Sequence, residues 1–247
     1  MSNPLYHTNL KDGEADEIDD LLLSKPSDPP ANPATKGRTR IAKPETYILL
    51  PGKSHNSYAY QDLLVSIARE HNGKNWYQAH EELHKDGAFM LNLRQYMDFL
   101  QLLKSGQAVH DGKGDRIDSL RVKQILGDIT KKVDSYRAEW LDADFKLINR
   151  DLYMHYDHRI IGGNLKPQKT EKLELCLMED CSIDINSANR QGLPIRKASS
   201  GISYWYPRSD NNSVAWFGAD SVGVFLDCDG DPRGSDGGLG VRVAKIR

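Results

Sequence analysis

From about Asn186 to the carboxyl end the chain carries no segment with helical periodicity; glycine, serine, aspartate and aromatic residues dominate there. Helical patterns are confined to the part before it. Helices and strands segregated in this way predict an α+β layout rather than an alternating parallel one. With 247 residues, one large domain or two small ones can bury a sizeable core.

Order is expected to begin near Thr46, where TYILLPG predicts a short strand broken by Pro51 and Gly52. In YQDLLVSIAREH (60–71), Leu63, Leu64, Ile67 and Ala68 fall at helical spacing. NWYQAHEELHKDG sets Trp76, Ala79 and Leu83 on one apolar stripe, with Gly87 just past the end as a C-cap. AFMLNL reads as a short strand and RQYMDFLQLLKSG as an amphipathic helix closed by glycine. The polar segment 108–150 predicts a helix over DSLRVKQILGDITKKVDSYR. LYMHYDHRII and KLELCLMEDCSIDI read as strands, and LGVRVAKI is the last strong one. TYILL and LGVRVA are placed to pair with each other. Ahead of this domain (41–247), residues 1–40 read as a flexible acidic and proline-rich arm, because PSDPPANPATKGR cannot hold a helix or a central strand.

The formal charge is -2 and the sequence pI about 6.4, so the positive field of a basic nucleic-acid binder is not expected. No apolar run is long enough to cross a bilayer. The start lacks the basic and apolar stretches of a signal peptide. A cytoplasmic or virion-associated protein is therefore expected. Three cysteines, Cys176, Cys181 and Cys228, are too few and too oddly numbered for a disulfide scaffold.

His80-Glu81-Glu82-Leu83-His84 is a formal H-E-x-x-H. On a helix it sets two imidazoles one turn apart beside a general base, as in metalloproteases. The longer motif fails at Met90, since a thioether is a poor third zinc ligand. Glu139, His155 and His158 are substitutes that nothing nearby marks as ligands. A solvated helix face is the expectation for HEELH, with a zinc hydrolase as the alternative. His155 and His158 should point to opposite faces of a strand. Asp227, Asp229 and Asp231 open like a calcium loop, but Pro232 and Gly238 stand at its sixth and twelfth positions. A calcium-dependent lectin is thus a further alternative. No nucleophile elbow or phosphate-binding glycine loop is present, so no cofactor is expected.

Lys, Glu, Gln, Met and Trp supply 45 residues of the chain, yet none of them occurs from Phe217 to Ala244. Seven of those 28 positions are glycine and five are aspartate. The frame Asn-Ser-Val-Ala-Trp-Phe (212–217), Ala219-Asp220-Ser221, Leu226, Cys228, Pro232 and Leu239-Gly240-Val241-Arg242-Val243-Ala244 resembles the carboxyl end of variable proteins of diversity-generating retroelements. In that family, copying errors at template adenines turn asparagine-type codons into many residues, but not into these five. The resemblance covers the last 45 residues specifically, and Trp76 to Leu103 by general pattern. It implies a C-type lectin fold related to formylglycine-generating enzymes, with paired terminal strands, two or more helices and a loop-rich lobe.

The resemblance further implies a non-enzymatic receptor for a protein or glycan, viral or prokaryotic in origin, with a variable region over about 203–240. Its diversified positions would be Gly218, Val222, Gly223, Phe225, Asp227, Asp229, Gly230, Asp231, Gly234, Asp236 and Gly238, with Ser203, Asp210 and Asn212. Glycine and aspartate at these positions suggest weak binding that favours a cationic ligand. Only Cys228 lies where the related oxidases carry paired cysteines, so their activity is not expected here.

Overall fold

An eleven-stranded mixed sheet organises the described residues, which are 43–132, 134–208 and 213–247 of this computed structural model. The arm expected over residues 1–40 lies outside them. The sheet runs from β1 (Tyr47–Leu50) through β4 (Leu63–Glu70), β15 (Leu239–Ile246) and β6 (Arg137–Ile148). It continues through β13 (Ser213–Ala219), β14 (Val224–Gly230), β12 (Ile202–Trp205) and β11 (Cys181–Ile183). Off this path, β5 (Phe89–Met90) pairs with β15, β7 (Asp151–Tyr156) with β6, and β10 (Lys169–Lys172) with β7. Two hairpins stand apart, β2 (Lys53–His55) with β3 (Tyr58–Tyr60) and β8 (Arg159–Ile161) with β9 (Asn164–Lys166). Three α-helices are described: α1 (Trp76–Lys85), α2 (Leu93–Lys104) and α3 (Ser119–Thr130). The architecture is α+β, and no described helix follows Asn186.

Two sequence expectations fail together. The segment 60–71 is not a helix but contains β4, and the terminal strands do not pair with each other, because β4 lies between them. Leu63, Leu64, Val65 and Ser66 are all buried. A strand flanked on both edges and covered on both faces loses its alternation, and its continuous apolar run then imitates helical spacing.

A third expectation holds only in part in the segment 108–150. Its helix α3, capped by the Asp118 carboxylate on the Leu120 N–H at 2.8 Å, ends at Thr130. Beyond it stands β6, the chain's central strand, which the sequence did not reveal. RAEWLDADFKLI buries Glu139 and Asp142, and acids inside a strand read as polar loop. KLELCLMEDCSIDI is likewise strand only at Lys172 and at Cys181–Ile183. LYMHYDHRII breaks between β7 and β8, where Asp157 takes a left-handed φ of 55°.

Helices α1 and α2 form where they were expected. Asn75 and Asn92 cap α1 and α2 with reciprocal bonds to Gln78 and Gln95, each pair satisfying two orphan donors of the first turn. Helix α2 is buried at every position from Leu93 to Leu100 and forms the centre of the hydrophobic core with Leu141, Phe145, Phe217 and Leu226.

A buried ion pair ties these layers together. The Arg242 guanidinium on β15 grips Glu139 on β6 with two bonds of 2.8 Å, and both side chains are 4% exposed. The Tyr96 hydroxyl on α2 donates to the same carboxylate at 2.9 Å. Arg242 also donates to the carbonyls of Ser66, at 3.0 Å, and Ile67 on β4. A bulge between Arg242 and Ala244 breaks the register of β15 against β4, and the Ser66 hydroxyl accepts the Val243 N–H at 2.9 Å beside it. Bulges re-aim side chains in this way. A second buried carboxylate, Asp98 on α2, holds the β2–β3 hairpin: Lys53 and Arg94 bind one oxygen, His55 and Tyr60 the other.

Glu139→Ala and Arg242→Ala should each destabilise the fold by about 3–5 kcal/mol, because each leaves a buried charge unpaired. The double variant should lose less than the sum of the two, as urea denaturation will read. For Asp98, burial pushes the carboxyl up, but Arg94, Tyr60, His55 and Lys53 outweigh it and hold the carboxyl below its ordinary value. A depressed folded-state value stabilises above the unfolded value, about 3.9, and that stability is lost as pH falls through the folded value. Asp98→Asn should therefore flatten the acid limb of stability against pH while lowering stability at neutral pH.

Candidate ligand-binding face

Strand alternation divides β14 between two environments. Leu226 and Cys228 point into the core and are wholly buried, whereas Phe225, Asp227 and Asp229 point to the other face. Register sets their neighbours: Ser203 on β12 lies opposite Phe225, and Trp205 opposite Asp227. On the other side Trp216 of β13 lies opposite Asp227 and, across β13, opposite Trp140 of β6.

Five rings form a continuous row along this face. Trp205 meets Phe225 edge-on at 5.5 Å, Phe225 stacks on Tyr136 at 6.1 Å, and Tyr136 meets Trp216 at 5.8 Å. Trp216 stacks on Trp140 at 5.3 Å. Trp140 is pinned by its indole N–H, which donates to the Lys74 carbonyl at 3.0 Å. Trp205, at the other end, is 37% exposed. Offset and edge contacts of this type are rigid and cost little side-chain entropy on binding.

Carboxylates border the row. Burial pushes the Asp227 carboxyl up despite the neighbouring Trp216 indole. Burial also raises the Tyr136 phenol, and Asp227, Asp236 and Asp220 raise it further. The Tyr136 hydroxyl is buried without a hydrogen-bond partner. Asp229 pairs with Arg208, whose guanidinium lies 5.2 Å over the Tyr206 ring. Asp220, Asp231 and Asp236 each accept the backbone N–H two residues on, at 2.8, 2.9 and 2.7 Å. Such bonds shape tight turns.

The positions singled out from sequence separate into groups. Ser203, Phe225, Asp227 and Asp229 share the aromatic face, although Phe225 is only 6% exposed. Val222 is 79% exposed in the β13–β14 turn, and a side chain at the adjacent Gly223 would meet nothing within 4 Å. Asp231, Gly234 and Asp236 lie in the β14–β15 connection, with Gly234 close to the Trp140 ring. Asp210 and Asn212 fall outside the described residues.

Three glycines do not suit diversification. A Cβ at Gly218 would stand 2.6 Å from the Arg137 carbonyl, and one at Gly238 would stand 2.0 Å from that of Tyr136. At Gly230 it would lie 3.0 Å from the Val214 carbonyl. These glycines let strands approach closely and belong to the scaffold.

The metal motifs read from sequence are rearranged. His80 is 4% exposed, not on a solvated face, while Glu81 and His84 are exposed. Burial pushes the His80 imidazole down to about 4, against the attraction of Asp142. Glu139 is committed to Arg242. His155 is half-buried and also pushed down to about 4 by burial. His158 turns inward to Asp142. Asp142 itself carried no sequence signal. Asp227, Asp229 and Asp231 do not converge on one point: among the described residues, the one group of three or more such ligands is His80, Asp142 and His158. All three cysteines are free.

No protein-family model, curated protein or solved structure matches the chain. No described helix is long and apolar enough to cross a membrane.

Gly218→Ala should destabilise by about 1–3 kcal/mol through overpacking against backbone. Gly223→Ala, in open space, should stay within about 0.5 kcal/mol of wild type. Urea midpoints of the two variants measure the contrast.

Proposed function

We propose that this chain is a non-enzymatic, ligand-binding protein of C-type lectin fold, whose outer face over β12, β14, β13 and β6 is diversified by a retroelement. The observation that carries the reading is the split of β14. Leu226 and Cys228 serve the core, while Phe225, Asp227 and Asp229 face away from it beside Trp205. Substitution at Ser203, Val222, Gly223, Asp227, Asp229, Asp231, Gly234 and Asp236 then leaves the core packing of Leu226 and Cys228 intact, although Asp231 and Asp236 give up their turn bonds, and Gly218, Gly230 and Gly238 stay fixed. Aromatic rings and carboxylates together favour a protein or glycan ligand that presents cationic groups.

Sequencing the locus tests the origin: a neighbouring reverse transcriptase and a near-identical repeat differing at adenines are expected, and the absence of both defeats the proposal. The face is tested by an array of proteins and glycans probed with wild type and Trp205→Ala. The variant should lose about tenfold or more in affinity for any specific ligand found, as anchor aromatics do. Binding should also weaken as salt rises.

A further inference from the structure

We propose that His80, Asp142 and His158 form a binding site for one divalent transition-metal ion of the zinc class. The site is independent of the ligand-binding face. Its residues come from three separate places: α1, β6 and the turn between β7 and β8. All three are buried, at 4%, 2% and 6% exposure. One ligand atom from each lies within 4.8 Å of the others.

The His80 Nε2 is the decisive atom. It is buried without a hydrogen-bond partner, 3.7 Å from the Asp142 Oδ1. A buried polar atom left unpaired costs about 1–3 kcal/mol, and an ion between this nitrogen and the carboxylate would satisfy it. Asp142 is already oriented, since its Oδ2 accepts the His158 backbone N–H at 2.8 Å. The Oδ1 faces the His158 Nδ1 at 2.5 Å. Ligands at about 2.0–2.1 Å from a tetrahedral ion stand roughly 3.3 Å apart, so His158 must withdraw slightly and His80 advance. The ion then takes the place of the hydrogen between the His158 Nδ1 and Asp142, and the imidazole carries its N–H on Nε2 instead.

Trp76 fixes both imidazoles. Its ring meets His80 edge-on at 4.4 Å and His158 at 5.0 Å, and its own N–H is anchored on the Leu141 carbonyl at 3.0 Å. A cavity of about 130 Å³ opens beside both histidines, lined also by His84, Phe89 and Arg159. It offers room for a water as the fourth ligand. Two imidazoles and one carboxylate select zinc, cobalt or ferrous ions over calcium.

The test titrates Co²⁺ into the chelator-stripped full chain, followed by competition with Zn²⁺. One equivalent should bind, with the visible bands of a low-coordinate ion and shifted ring protons from two histidines. His80→Gln should weaken binding at least 10–100-fold, roughly the effect of losing even a supporting group, and His84→Ala should not. Asp142→Asn deprives His158 of its partner and can unfold the chain, so the histidine signals of the wild type carry the test independently. The proposal is overturned by no stoichiometric uptake in the wild type, or by unchanged affinity in His80→Gln. Equal losses in His80→Gln and His84→Ala also overturn it, because they place the ion on the HEELH helix face.

Discussion

The Glu139–Arg242 pair is the constraint on which the rest of this structure depends. It joins β6 and β15 to each other and reaches α2 through Tyr96 and β4 through two carbonyls. Two opposite charges in a dry interior attract each other but have given up their hydration, and they persist only when every remaining donor and acceptor is met. The bulge in β15 exists in that context: it turns Arg242 inward, and Ser66 receives the backbone N–H beside the break. With β15 fixed in this way, the chain's last strand sits inside the sheet, next to β6, instead of on an edge.

That placement controls the candidate face. Strand β6 places Trp140, itself buried, beneath the ring row and Leu141 on the opposite, core face, and β13 and β14 build on it in register. Period-two alternation then assigns each residue of β14 either to the core or to the outer row. A recognition surface on a strand thus shares its backbone with the core while its side chains remain separable from it. The exceptions are glycines. Gly218, Gly230 and Gly238 lie where backbone approaches backbone, and there even a methyl group would displace a carbonyl.

The histidines follow a different logic. HEELH suggests a site read along one helix, yet of its two histidines only His80 points inward, and its neighbours in space are 62 and 78 positions further along the chain. Asp142 lies inside β6 and His158 follows the left-handed residue Asp157. Such convergence is set by how the sheet brings β6 and the β7–β8 turn beneath α1.

Helices α1 and α2, the strand at the carboxyl end, the absence of helices after Asn186 and the α+β class were all legible in the sequence. Each rests on local chemistry: periodic apolar residues, glycine stops and turn-forming composition act over a few neighbouring positions. The sequence could not show that β4 separates the terminal strands, that Glu139 and Asp142 belong to a buried strand, or that His80 leaves its helix face for the interior. Those outcomes depend on partners far away in the chain. Burial on both faces erases the alternation by which a strand is recognised, and an acid enters a core only where a distant arginine or histidine meets it. Only the tertiary structure supplies those partners.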